Sequence, residues 1–534
     1  MDFDAIVIGA GVAGLYQVHS LRKLGLSVRA FDAAPEVGGT WYWNRYPGCR
    51  FDSESYTYGY SFSPELLEEW DWSELFAGQP ETYRYLQHVA DRFDLRKDIQ
   101  LDTRIVSARY DAQANLWTIE TADGERFSAR FLITAVGILS APIMPDFPGQ
   151  DSFGGASFHS SFWPEGLDLA GKRVAVFGTG ATGVQVIQSI APIVGQLTVY
   201  QRSGNWTKPL RNRPIDKQEM DEIRSRYPEI FARCRATVAA FVHDWTPQNT
   251  FDASDDEREA FFEQRYAEPG FGFWLGGYQD LAVNPAAAKA AQDFLVRKLR
   301  QRVNDPAVAE LLCPTDHLFG SKRVPLETRH YEAYNQDNVE LVDLKSEPVE
   351  RITPAGVVTG GVERAFDVII YATGFDAFRG ALDRIEFHGL DGTLREKWAP
   401  GIATYMGLQY RGFPNLLTIL GPQNGGSYCN IPRCLEQNVE FIAALIEHMR
   451  ENGLDRVEPV VEAERAWTQS AHDLSQGLLA MEIDSYMNSA NTQHSGAPKR
   501  REILVNAGGQ NAFRQFCDDM VAEGYRGLEL SRVD

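Results

Sequence analysis

Two glycine triplets in this chain have the spacing that chemistry on a dinucleotide requires. Gly9, Gly11 and Gly14 form G-x-G-x-x-G within "AIVIGAGVAGL", and Gly178, Gly180 and Gly183 repeat it within "VAVFGTGATGV". The first glycine of such a turn permits the tight bend, and the second lets backbone approach a pyrophosphate. The third lets the following helix pack on the strand while its N-terminus faces the anion. The two units end differently. Asp32, 23 positions after Gly9, ends the next apolar stretch, where a carboxylate accepts hydrogen bonds from an unphosphorylated ribose. The second unit ends instead in Arg202, which suits a ribose carrying a 2′-phosphate or, on its position alone, is a solvated surface charge. An acid-ended and a base-ended site in one chain point to FAD and NADPH, and so to a flavin-dependent oxidoreductase.

Such turns act only between a strand and a helix. The segments "DAIVIG", "AGLYQVHSLRKLG" and "SVRAFD" read as strand, helix and strand over residues 4–32, and "KRVAVFG", "VQVIQSIAPIVG" and "QLTVYQR" repeat the order up to Arg202. The predicted fold is α/β, with two Rossmann-like dinucleotide-binding domains and a helical insertion in the second. "FLITAVG" and "VIIYATGF" are apolar strands ending in a small residue and glycine, where the chain is expected to cross between domains. The FAD domain is therefore expected over 1–140 and 380–534, and the NADPH domain over 141–208 and 320–379. Residues 209–319, rich in helix formers and charge, form the insertion, and the Ser, Asn, Gly and Pro of 484–500 read as a mobile loop.

At 534 residues the chain is long enough for roughly three packed units of about 100 to 200 residues each. No apolar run approaches the roughly 20 residues of a membrane span, and "MDFDAIVIGAGVAGL" enters a strand pattern at once, so a cytoplasmic protein is expected; a monomer is expected as well. A formal charge of -21 disfavours nucleic acid and favours a small-molecule partner. Cys429 and Cys434 in "CNIPRC" have the spacing of a redox pair, but no neighbouring signal lowers a thiol pKa; two small buried thiols is the preferred reading. The chain has no G-x-S-x-G and no H-E-x-x-H, so neither a serine hydrolase nor a zinc peptidase is supported, and no metal is expected.

Between the two glycine turns lies "FGGASFHSSFWP", in which Phe153, Gly155, His159, Trp163 and Pro164 match the pattern F-x-G-x-x-x-H-x-x-x-W-[PD]. With "GGTWYWNRYPGCRFD" (38–52), "FGSKRVPLETRHYEAYN" and "GFPNLLTILGP", the chain resembles the type I Baeyer-Villiger monooxygenases over nearly its whole length. The resemblance implies conversion of ketones to esters or lactones with NADPH and O₂ through a flavin C4a-peroxide. It also implies that Arg323 is the catalytic cation, oriented by Asp52, and that His159 and Trp163 sit at a hinge. Cofactor contacts are implied for Gly9, Gly11, Gly14, Asp32, Gly39, Thr40, Trp41, Asp52 and Tyr58. They are implied as well for Gly178, Thr179, Gly180, Thr182, Gly183, Arg202, Ser203, Lys322, Arg323 and Tyr486. At Tyr486 members of the family often carry tryptophan, so its contact departs from the pattern. His159 and Trp163 could equally act by packing alone. The alternative function is that of a flavin-containing monooxygenase oxidising nitrogen or sulfur. A disulfide reductase built on Cys429 and Cys434, and a nucleotide-sensing module, are weaker readings.

Overall fold

The computed structural model describes residues 1–424, 429–488, 490 and 501–533. Two sheets carry the two glycine turns. The first has eight strands, in the order Glu386–His388, Ile105–Asp111, Leu116–Thr121, Arg126–Thr134, Phe3–Ile8, Val28–Phe31 and Ile99–Gln100, with Leu416–Thr418 also paired to Arg126–Thr134. Arg126–Thr134 has two halves. Its first half pairs antiparallel with Leu116–Thr121 and is partly exposed, and its second half runs parallel between Phe3–Ile8 and Leu416–Thr418 and is buried. A chain segment from beyond residue 380 thus completes the sheet begun at residue 3. Helix Ile431–Glu451 packs on helix Val12–Lys23 behind it, and Arg450 donates to the Leu24 carbonyl.

The second sheet is all parallel, in the order Val339–Asp343, Gln196–Gln201, Arg173–Phe177, Val368–Tyr371 and Ala156–His159. Covered on both faces, its central strands read as continuous apolar runs rather than alternating ones. Helix Ala181–Ile190 comes directly after the glycine turn, beginning and ending earlier than the apolar run 184–195 predicts, because Gly180 is its N-cap.

Residues 217–312 are helical, with Lys217–Ala236, Asp255–Ala267, Pro285–Arg300 and Pro306–Leu312 as the main helices. Each starts on a side-chain cap: Asp216, Ser254, Asn284 or Asp305 accepts from a backbone N–H of its helix's first turn. The insertion leaves and rejoins the second domain through a two-stranded parallel ladder, with Lys208 opposite Leu326 and Pro209 opposite Glu327. Arg323 lies just ahead of the returning strand.

The two crossings run side by side. Ile143 donates its N–H to the Gly374 carbonyl at 3.0 Å, Asp376 donates to Ala141 at 2.8 Å, and the Thr373 hydroxyl donates to Ile143 at 2.6 Å. Of the loop predicted over 484–500, residues 484–488 and 490 are described; Asp484 is exposed, while Ser485 and Ala490 are buried. Tyr486–Asn488 form a 3-10 turn with Met487 and Asn488 buried, and residues 489 and 491–500 lie outside the described residues.

Candidate active site

Both glycine turns are built alike. The third glycine, Gly14 or Gly183, faces the carbonyl of the first, Gly9 or Gly178, so closely that a Cβ would overlap it. Gly180 differs: a Cβ there would meet nothing within 4 Å, so its lack of a side chain serves something outside the polypeptide. Gly11 and Gly180 are the N-caps of their helices; neither helix has a side-chain cap or an acid in its first turn. The free N–H groups and the helix dipole are left to an external anion, which is what a pyrophosphate needs. The first glycine of each turn abuts a crossing, Gly9 at Ala135 and Gly178 at Ala372, so each turn touches a hinge strand.

Asp32 is fixed by the chain. One carboxylate oxygen accepts from Ala10 N at 2.6 Å, the other from Ala34 N at 2.8 Å. Burial raises its pKa and these two bonds oppose the rise.

The stretch 38–52 turns out to be an inter-domain contact as well as a wall of the first turn. Gly39 touches Gly11, and Thr40 is exposed at the start of the short helix Thr40–Trp43. Trp41 is buried, donating from its indole to the Tyr58 hydroxyl at 3.0 Å, while Tyr58 stacks on Phe51 with ring centroids 4.1 Å apart. Farther on, the Tyr46 hydroxyl donates to Gln185 at 2.9 Å, and Gly48 lies against Ser189, both on the helix after the second glycine turn. Thr182, implied as a cofactor contact, lies near the Tyr46 hydroxyl.

This stretch ends on Asp52, whose Oδ2 accepts from the Arg323 guanidinium at 2.9 Å. Asp52 is buried. Arg323 keeps 31% of its side-chain surface accessible. Burial opposes the charge on both partners. It raises Asp52 despite the pull of Arg323, while Arg323 ends above its ordinary value because Asp52, with Tyr486 and Tyr58 nearby, outweighs burial. Arg323 is thus a permanent cation. Asp52 Oδ1 is buried and has no partner among the described residues, an acceptor left for a donor from elsewhere. The guanidinium also lies over the Phe271 ring, 5.4 Å from its centroid, a contact with the insertion that no sequence motif announces.

At the far end of the second turn, Thr179 donates to the Ser203 carbonyl at 2.8 Å. Arg202 is exposed there, and the register that sets Asp343 opposite Gln201 brings Lys345 alongside it. Lys322 comes in from the returning segment. Burial holds its pKa below the ordinary lysine value, Asp316 opposes that, and Arg202 and Lys345 add to it. Lys322 is the cation beside Asp316, with Nζ 3.8 Å from Oδ2, and Arg202 and Lys345 lie near Lys322; sequence reasoning missed Asp316 because no spacing links it to Arg202.

His159 is buried at the paired crossings. Its Nδ1 accepts from the Ser161 N–H, which fixes the neutral tautomer, and Nε2 donates to the Gly374 carbonyl at 3.1 Å. Burial pushes its pKa down to about 4, against the Gly374 bond. Trp163 packs edge-on against Phe158, with ring centroids 5.2 Å apart. Cys429 and Cys434 are buried and not bonded to each other. Among the described residues no group of His, Cys, Asp and Glu could hold a metal, and no helix is long and apolar enough to cross a membrane.

Two dinucleotide folds, paired crossings and a buried carboxylate holding an arginine between them define a flavin- and pyridine-nucleotide-dependent oxidoreductase. Residues 6–255 match the family model for pyridine nucleotide-disulphide oxidoreductase. The chain is 47% identical, over 99% of its length and 98% of the other, to a 2-oxo-Delta(3)-4,5,5-trimethylcyclopentenylacetyl-CoA monooxygenase of Pseudomonas putida. It is 41% identical, over 100% and 97%, to a Baeyer-Villiger monooxygenase of Pseudooceanicola batsensis, and 40% identical, over 99% and 97%, to a phenazine N-monooxygenase of Lysobacter antibioticus. The crystal structure of OTEMO in complex with FAD and NADP superposes with a TM-score of 0.95 at 46% identity over 99% of both chains. The chain belongs to the Baeyer-Villiger monooxygenase family.

Proposed function

We propose that the first glycine turn holds FAD, the second holds NADPH, and Arg323 is the cation that both serve. The enzyme is an FAD- and NADPH-dependent Baeyer-Villiger monooxygenase, converting ketones to esters or lactones with O₂. Bound NADPH supplies hydride, and bound FAD supplies the two-electron chemistry that activates oxygen. The chain's own residues do the rest. As the ketone carbon is attacked, its oxygen takes on negative charge, and Arg323 has accessible donors to meet it. Asp52 holds the guanidinium by one oxygen, so its direction is set before substrate arrives. Phe271 backs it from the insertion, and His159, neutral and bonded across the crossings, ties this geometry to the hinge.

The observation that carries this reading is the Asp52–Arg323 pair, which joins the stretch beside the first turn to the segment returning to the second domain. The relative named as a phenazine N-monooxygenase supports a second reading, oxidation at a ring nitrogen. Purified FAD-loaded enzyme with NADPH should be given cyclic, linear, aryl and polycyclic ketones beside aromatic amines and N-heterocycles, with products monitored by gas or liquid chromatography. Esters or lactones from the ketones support the first reading. N-oxides alone would establish the second.

A further inference from the structure

The cation cluster beyond the second glycine turn contains an anion that coenzyme binding does not call for. Asp316 Oδ1 accepts from the Ser203 hydroxyl at 2.6 Å and from His317 Nδ1 at 2.6 Å, and its Oδ2 lies 3.8 Å from Lys322 Nζ. Lys322 in turn feels Arg202 and Lys345 as like charges and Asp484 as a second, opposite one. His317 is almost wholly buried, and its Nε2 has no hydrogen-bond partner among the described residues, so its ring is held through Nδ1. The Asp316 side chain is 39% exposed and Lys322 25%, and Arg202 is exposed near Lys322, so all three are open to a ligand from solvent.

We propose that Asp316 is a specificity-determining residue that sets how strongly the enzyme prefers NADPH over NADH, by occupying part of the positive field that a 2′-phosphate would otherwise have to itself. The inference rests on the reading that Arg202 and Lys322 receive that phosphate. A carboxylate 3.8 Å from Lys322 attracts the same ammonium and repels an incoming dianion, so binding the phosphate requires Lys322 to be shared. NADH brings no charge to this place and is indifferent to Asp316. In return Asp316 holds Ser203 and Lys322 in position before coenzyme arrives. The chain thus gives up part of its affinity for the phosphate in exchange for an ordered site.

Asp316→Asn separates the two roles, since the amide oxygen still accepts from Ser203 and His317 while the charge is gone. Titration of NADP⁺ and NAD⁺ into the FAD-loaded protein should give a dissociation constant for NADP⁺ about three- to tenfold lower than in the wild type, the range for a partly exposed charge contact. The constant for NAD⁺ should stay within about twofold. The gain should shrink as salt is raised. An NADP⁺ constant that is unchanged or weaker would overturn the proposal, because a purely structural Asp316 is served equally well by asparagine. Should Asp316→Asn fail to retain FAD, Asp316→Ser carries the test: the charge is gone and a small hydrogen-bonding group stays, so NADP⁺ should again bind more tightly with NAD⁺ unchanged, and an NADP⁺ constant that is unchanged or weaker overturns the proposal. Arg202→Ala distinguishes the two levels. If it leaves NADP⁺ binding intact, the phosphate reading fails and this inference with it; if it weakens NADP⁺ while Asp316→Asn changes nothing, only this inference fails.

Discussion

Arg323 combines three properties that a lysine in its place would lack: a charge that burial does not remove, a planar face that rests on Phe271, and a fork of donors of which Asp52 engages one. Arg323→Ala should therefore still bind FAD, whose glycine turn lies on another segment, but lose about 10² to 10³ in the rate of ester formation. Stopped-flow measurement of flavin reduction, kept separate from product yield per NADPH consumed, locates the loss; wild-type yield would remove Arg323 from the chemistry. Asp52→Ala should fall less far, by about tenfold, because arginine keeps its charge without a partner and loses chiefly its direction. An Asp52 variant slower than Arg323→Ala would reverse this order of roles.

The two dinucleotide units use glycine for two different reasons, and a pair of substitutions in the second turn separates them. Gly183 faces the Gly178 carbonyl, so Gly183→Ala must push helix Ala181–Ile190 off the sheet and should cost about 1–3 kcal/mol or more in urea unfolding. Gly180 has ordinary backbone angles, φ -73° and ψ -172°, and open space where a Cβ would go. Gly180→Ala should leave stability within about 0.5 kcal/mol, yet weaken NADP⁺ binding about tenfold or more by obstructing the approach to the helix N-terminus. Equal losses of stability in the two variants would mean that both glycines serve packing alone.

At the scale of the whole molecule, burial lowers the pKa of four histidines among the described residues. The pKa values of His19 and His159 are pushed down to about 4 and that of His330 to about 3, and His317 is lowered too; burial is the leading cause for each. In the unfolded chain these groups titrate near 6.5. The unfolded state therefore binds more protons between that value and about pH 4, and stability held above pH 6.5 is lost as pH falls. The midpoint of thermal unfolding should be level from about pH 8 to 7 and decline from about pH 6.5 downward. Carboxylates whose pKa burial raises, Asp32, Asp52, Asp376 and Glu440, act in the opposite sense as they protonate, so the histidine share is read from the difference between the wild type and a histidine variant. His159→Asn should flatten the decline, and a slope identical to the wild type would remove His159 from the account.

Both glycine turns, their flanking strands and helices and the helical nature of residues 217–312 were legible in the sequence, because each is specified over a few neighbouring residues by period, glycine spacing and caps. The likeness to a family carried further, to Asp52 and Arg323, which lie 271 positions apart and share no local pattern. What only the tertiary structure decided is which surfaces meet. It set Phe271 of the insertion beneath Arg323, and Tyr46 and Gly48 against Gln185 and Ser189. It paired the two crossings through His159 and Gly374, and it set Lys322 beside Asp316 with Arg202 and Lys345 near Lys322. The reason is physical: local propensity acts through the backbone of one segment, whereas these contacts arise when separate segments close the same two sheets and the ends of distant strands emerge side by side.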